Sequence, residues 1–174
     1  MVCQPVFTET GGIEGETLYH PLLSNPIAND VHFQKNMVIS GDNASGKSTY
    51  LKTVAINAIL AQGLGFAYGE TLALPYGHVL TAMDVSDDIE VGDSYFITES
   101  KAILRMIQHL KEPGFHYFFI DELFKGTNTI ERIGSGLGIV RWLALQNCLY
   151  MISSHDIGNE NSLSSHFYSI QFFC

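Results

Sequence analysis

Gly41-Asp42-Asn43-Ala44-Ser45-Gly46-Lys47-Ser48-Thr49 lies between the apolar run Met37-Val38-Ile39-Ser40 and a stretch in which Leu51, Val54, Ala55, Ala58 and Ile59 recur at three- and four-residue spacing. The first flank reads as a buried strand and the second as a helix packed by one face on a sheet. The glycines let successive backbone N–H groups turn inward at phosphate oxygens, and the following helix offers its positive end to the same point. In the spacing G-x-x-x-x-G-K-S, Lys47 reaches the β and γ phosphates and Ser48 ligates Mg²⁺. Gly41, Asn43, Ala44, Ser45, Gly46, Lys47, Ser48 and Thr49 are therefore expected to form a nucleoside triphosphate site.

Working outward, the helix is expected from Ser48 to about Gln62, ending at Gly63. Val79-Leu80-Thr81-Ala82-Met83 reads as a strand, and Tyr95 to about Lys111 carries Ile97, Ala102, Ile103, Met106, Ile107 and Leu110 at helical spacing. His116-Tyr117-Phe118-Phe119-Ile120 is an almost continuous apolar and aromatic run, the kind buried on both faces of a parallel sheet. A helix over Glu131 to Gln146, a strand at Leu149-Tyr150-Met151-Ile152 and a final apolar run from Phe167 to Phe173 complete the alternation. Strand and helix in succession imply an α/β fold with a mostly parallel sheet and ligands outside the carboxyl ends of its strands. Upstream, residues 8–30 are rich in Gly, Pro, Asn and acidic groups, which favours loops and short edge strands, with the main fold beginning near Val31. A single domain over 1–174 is expected, with 1–35 as an N-terminal loop and edge-strand segment beside the nucleotide and 36–174 as the phosphate-loop core.

Two further clusters fall at the same sheet edge. Asp121-Glu122 follows the aromatic strand, where one carboxylate can hold Mg²⁺ through water and its neighbour can orient or deprotonate an attacking water. Asp121 takes the metal role with Ser48, and Glu122 the general-base role. Ser153-Ser154-His155-Asp156 follows the next strand, and His155 can hydrogen-bond a γ phosphate or the lytic water. Between Glu122 and the next helix, the hydroxyls of Gly126-Thr127-Asn128-Thr129 can cap that helix.

Bulk properties exclude several classes. With 18 acidic against 9 basic residues the formal charge is −9, so this segment is not itself a strong nucleic-acid binder. Cys3, Cys148 and Cys174 lack C-x-x-C spacing, which suggests neither a zinc site nor a disulfide framework and fits a cytoplasmic location. No signal peptide or membrane span is read, because Asn57, Gln62, Gly63 and Glu70 interrupt the longest apolar stretch.

Taken in order, these pieces resemble the ATPase domain of the MutS family, DNA mismatch-repair proteins within the wider ABC superfamily. The resemblance rests on Tyr19-His20-Pro21-Leu22, Pro26-Ile27-Ala28-Asn29-Asp30, Gly41 to Leu51, and above all Asp121-Glu122-Leu123-Phe124-Lys125-Gly126-Thr127-Asn128-Thr129. It implies a phosphate-loop NTPase of ABC/MutS type, with an N-terminal β-rich edge. It also implies Mg²⁺-dependent ATP hydrolysis by Lys47, Glu122 and His155, and a homodimer through the ATPase site that couples nucleotide state to conformation. By the same resemblance Ile27 and Asn29 line the adenine, Asn43 senses the partner, and Ser94 reaches the partner's nucleotide. DNA would be bound by regions of a longer protein outside this chain, of which these residues look like one excised domain.

The family's P-N-M-G-G-K-S is Asp42-Asn43-Ala44-Ser45-Gly46-Lys47-Ser48 here, its S-G-x-S-T-F is Val91-Gly92-Asp93-Ser94-Tyr95-Phe96, and its T-H-Y/F is Ser154-His155-Asp156. These departures resemble a divergent bacterial branch. Two alternatives stand beside the main reading. Asp93, a negative charge near the expected partner phosphate, suits a nucleotide-responsive dimerisation module with little turnover. Another ABC-type ATPase would be expected to carry L-S-G-G-Q, which is absent.

Overall fold

The computed structural model describes residues 1–41, 45–83, 95–154 and 168–172, without the side chains of Tyr95 and of 168–172. In chain order the elements are β1 (Val6–Thr8), β2 (Ile13–Leu18), β3 (Asn29–Phe33), β4 (Met37–Gly41), α1 (Lys47–Leu64), β5 (Thr71–Pro75), β6 (His78–Ala82), α2 (Tyr95–His109), β7 (His116–Asp121), α3 (Thr129–Leu143), β8 (Cys148–Ser153) and β9 (Tyr168–Phe172).

Among the described residues, β6-β7-β8-β4-β9 form one five-stranded sheet in that spatial order, and every pairing in it is parallel. Helices connect such strands and cover both faces, so the central strands must be apolar on both sides. β7 and β8 are buried at all six positions each. Their side chains alternate between two cores: Tyr117, Phe119, Leu149 and Met151 join Leu51, Val54 and Ala58 of α1, whereas Phe118, Ile120, Tyr150 and Ile152 join Ile103 and Met106 of α2 with Val140 and Leu143 of α3. The expected mixture of a parallel sheet and flanking helices is what the chain forms.

A second sheet of order β1-β5-β2-β3 lies against the α1 side, where Phe33 meets Phe119 with ring centroids 6.0 Å apart. Asn57, fully buried on α1, ties the two layers. Its amide donates to the carbonyls of Thr53 and Tyr19 at 2.9 and 3.3 Å, and its oxygen accepts from Tyr68 N–H at 2.7 Å. A buried amide satisfied on both ends fixes register, because leaving any of these groups unpaired would be costly.

Several local expectations are corrected. α1 continues past Gly63 to Leu64 and stops where Gly65 takes the left-handed conformation (φ 76°) and donates to Ala61 O at 3.1 Å. β2 is an interior strand rather than an edge, since β5 and β3 flank it, and β5 itself had no expected counterpart. α3 starts at Thr129 and ends at Leu143, two and three residues before the expected limits. The side chain that caps it belongs to Asn128, not to a hydroxyl: Asn128 Oδ1 accepts from Glu131 N–H at 3.0 Å. Among the described residues no helix is long and apolar enough to cross a membrane.

Candidate functional site at the carboxyl ends of β4, β7 and β8

β4 ends at Gly41 and α1 starts at Lys47, with Gly46 at the junction in a left-handed conformation (φ 97°) that a residue with a Cβ adopts only under strain. No side chain caps the start of α1, and its first turn carries no acidic residue. α3 differs, having Asn128 as cap and Glu131 in its first turn. An uncapped helix start leaves N–H donors and a positive dipole end available to an anion. Beside it, Ser45 Oγ is buried with no hydrogen-bond partner among the described residues. Lys47 is buried and folds back over the junction, its ammonium donating to the Gly41 carbonyl at 2.6 Å.

Parallel register brings three strand ends into one row. Ile39 of β4 pairs with Ser153 of β8, which pairs with Asp121 of β7. The buried Asp121 carboxylate then gathers two hydroxyls at Oδ1: Ser48 Oγ, from the first turn of α1, donates at 2.8 Å, and Ser153 Oγ donates from the other side. Ser153 Oγ in turn accepts from Glu122 N–H at 3.2 Å, while the Ser153 carbonyl accepts from the same N–H at 3.1 Å. Ser48 and Asp121, distant in sequence, are thus in direct contact. Among the described residues no group of three or more His, Cys, Asp and Glu could hold a metal ion alone. One carboxylate with one hydroxyl is an oxygen-only set of the size that Mg²⁺ uses when phosphates and water supply its remaining ligands, so these residues fit the ion expected for them.

Glu122 turns out of the strand with φ 59° and Phe124 repeats that angle, so the chain reverses sharply after Asp121. The Glu122 carboxylate is partly exposed and 3.1 Å from Lys125 Nζ. Glu99 of α2 accepts from the backbone of the same loop, an anchor that the sequence did not suggest. Burial raises the Glu99 proton affinity above that of an ordinary glutamate, against the lowering effect of the Gly126 and Lys125 N–H groups. Thr127 Oγ1 donates to the Glu131 carboxylate, which holds that acid below its usual range.

The remaining expected residues distribute as follows. Thr49 is exposed on α1; Ile27 is exposed, with its carbonyl accepting from Asn29 Nδ2 at 3.1 Å; and Asn29 opens β3. Tyr50 of α1 donates to Asp30 O at 3.4 Å, which ties the segment after Asn29 to the helix bearing Lys47 and Ser48. Asn43, Ala44, Ser94 and His155 lie outside the described residues, as do Asp93 and Asp156.

A parallel α/β sheet whose strand ends gather an open helix start, a buried lysine and a hydroxyl–carboxylate pair defines a class: α/β domains with a candidate site at the carboxyl edge of the sheet. The chain belongs to the MutS family, since residues 37–171 match the model described as MutS domain V. Among similar proteins, MutS protein homolog 4 of Homo sapiens is 32% identical over 161 residues, 87% of this chain and 17% of that protein. DNA mismatch repair protein MutS of Thermotoga petrophila is 27% identical over 97% of this chain and 22% of its own length. Endonuclease MutS2 of Streptococcus mutans is 33% identical over 87% of this chain and 20% of its own. The chain thus spans less than a quarter of the length of any of these three relatives.

Proposed function

We propose that this chain is a phosphate-loop ATPase domain of a MutS-like mismatch-repair or DNA-processing protein, which binds ATP with Mg²⁺ and hydrolyses it. The observation that carries the reading is the 2.8 Å hydrogen bond from Ser48 Oγ to Asp121 Oδ1 beside the uncapped start of α1. It joins the two sequence motifs into one place. Ser45, Gly46 and the α1 N–H groups would hold the phosphates, Lys47 would leave the Gly41 carbonyl for a phosphate oxygen, and Ser48 with Asp121 would hold Mg²⁺. When bound, Mg²⁺ neutralises charge on the terminal phosphates. Glu122 orients the attacking water and accepts its proton, and Lys47 with the backbone donors stabilises charge in the transition state.

The reading extends to assembly. Ile27 and Asn29 lie beside the base, Asn43, Ser94 and His155 complete the site as the family resemblance implies, and a second copy of the domain closes it. The whole of 1–174 acts as one cytoplasmic unit that converts nucleotide state into dimer geometry, and DNA is held by parts of a longer protein. Relatives from human and from bacteria both match, which favours no one branch. An ATP-binding titration tests the reading: Lys47→Ala should lose binding at least about tenfold, while Glu122→Gln should bind ATP like the parent and turn over slowly. Unchanged affinity in the first, or unchanged turnover in the second, would contradict it.

A further inference from the structure

Glu99 sits in the second turn of α2 with its side chain buried. Its two oxygens accept from consecutive backbone groups of the loop after β7, Lys125 N–H at 3.0 Å and Gly126 N–H at 3.2 Å. One turn earlier on the same helix Phe96 packs on Phe124, with ring centroids 5.5 Å apart. That loop needs holding, because Glu122 and Phe124 both have φ 59°, which residues with a Cβ disfavour. Such a backbone persists only where its surroundings over-determine it. On the sheet side Ser153 holds Glu122 N–H; on the helix side Phe96 packs on Phe124 and Glu99 holds Lys125 and Gly126.

The geometry reaches the Glu122 carboxylate itself. Lys125, whose backbone Glu99 fixes, places its Nζ 3.1 Å from Glu122 Oε2. A buried carboxylate is expensive and is kept where specific donors compensate it, and here both oxygens accept from main-chain N–H groups, with the Lys125 charge also favouring the ionised form. We propose that Glu99 is a positioning residue: by clamping the Lys125–Gly126 backbone it sets the place of Glu122 and of the ammonium beside it. The inference rests on the reading of Glu122 as the base for its catalytic consequence, but not for the clamp.

Two readouts separate those parts. Amide hydrogen exchange at Lys125 and Gly126, resolved by NMR on the full 174-residue chain, reports the clamp without nucleotide. Glu99→Ala should speed exchange at both amides at least about tenfold, because bonds to a charged acceptor are among the stronger ones. Glu99→Gln keeps one acceptor oxygen and should leave one of the two amides protected. Thermal unfolding of both variants checks that the fold is retained. In Mg²⁺-ATP turnover, Glu99→Ala should lower kcat about tenfold or more with KM for ATP changed less than about twofold, and Glu99→Gln should recover part of the loss. Unchanged exchange in a folded Glu99→Ala chain would overturn the clamp. A rise in KM with kcat intact would overturn the link to Glu122. Lost protection in a chain whose parent shows no turnover would uphold the clamp and overturn the hydrolytic reading instead.

Discussion

Replacing Ser153 by Ala tests whether the strand-end row is held by the Asp121 carboxylate. Ser153 is fully buried, and its hydroxyl donates to Asp121 Oδ1 while accepting from Glu122 N–H. The variant leaves no orphaned donor, because the Ser153 carbonyl still accepts from Glu122 N–H at 3.1 Å and Ser48 still donates to Asp121 at 2.8 Å. What is lost is one hydrogen bond to a buried charged acceptor, about 1.5–3 kcal/mol, with little cavity since only an oxygen is removed. For a domain of this size that is a fall in Tm of roughly 3–12 °C. Urea unfolding of the parent, Ser153→Ala, Asp121→Asn and the double variant gives the coupling directly. In the Asp121→Asn background the acceptor is neutral, so the cost of Ser153→Ala should shrink to about 0.5–1.5 kcal/mol. A cost under about 0.5 kcal/mol in the parent, or the same cost in both backgrounds, would mean that the Asp121 charge does not hold Ser153.

Three other outcomes are expected. Gly46→Ala meets no atom within 4 Å of the new Cβ, so its penalty is the left-handed backbone at φ 97°, about 1–2 kcal/mol by chemical denaturation, with ATP affinity falling further than stability does. Burial holds the His116 imidazole below the usual 6.5, with the stacked His78 ring also nearby, so the unfolded chain takes up a proton that the folded chain resists. Its contribution is therefore present above about pH 6.5 and lost as pH falls through the lowered folded value; His116→Phe should flatten that part of the profile in urea titrations at pH 5 to 7.5. Burial pushes the Cys148 thiol up to about 11, leaving on the order of one thousandth as thiolate at pH 8. In a Cys3→Ser, Cys174→Ser background it should react with a disulfide reagent at least about a hundredfold more slowly than an unfolded control.

How much could be read in advance follows the range of the forces involved. Met37 to Thr49 was legible because a buried strand, a glycine-bearing junction and a helix face all write local patterns. β7 was legible because burial on both faces leaves an unbroken apolar run. β5 was not: Thr71-Leu72-Ala73-Leu74-Pro75 is short, ends in proline, and gains its partners β1 and β2 from far upstream. Gly63 and Gly65 are equivalent as helix stops in sequence, and the helix ends at the second, where Gly65 takes the left-handed conformation. At the site, Ser48 and Asp121 could be matched by motif, but the place of Ser153 depends on the β7–β8 register, which no local pattern states. Glu99 was missed for a different reason. A glutamate within an amphipathic helix reads as a solvated face, and only the folded loop shows that this one is buried against main-chain donors.

Steady-state ATP turnover with Mg²⁺ across protein concentration, with Lys47→Ala as the blank, decides whether hydrolysis occurs in a site that a second copy completes. Specific activity should climb with concentration and vanish in the variant. Turnover equal to the Lys47→Ala blank at every concentration, in protein shown to bind ATP, would contradict it and favour a module that binds nucleotide without consuming it.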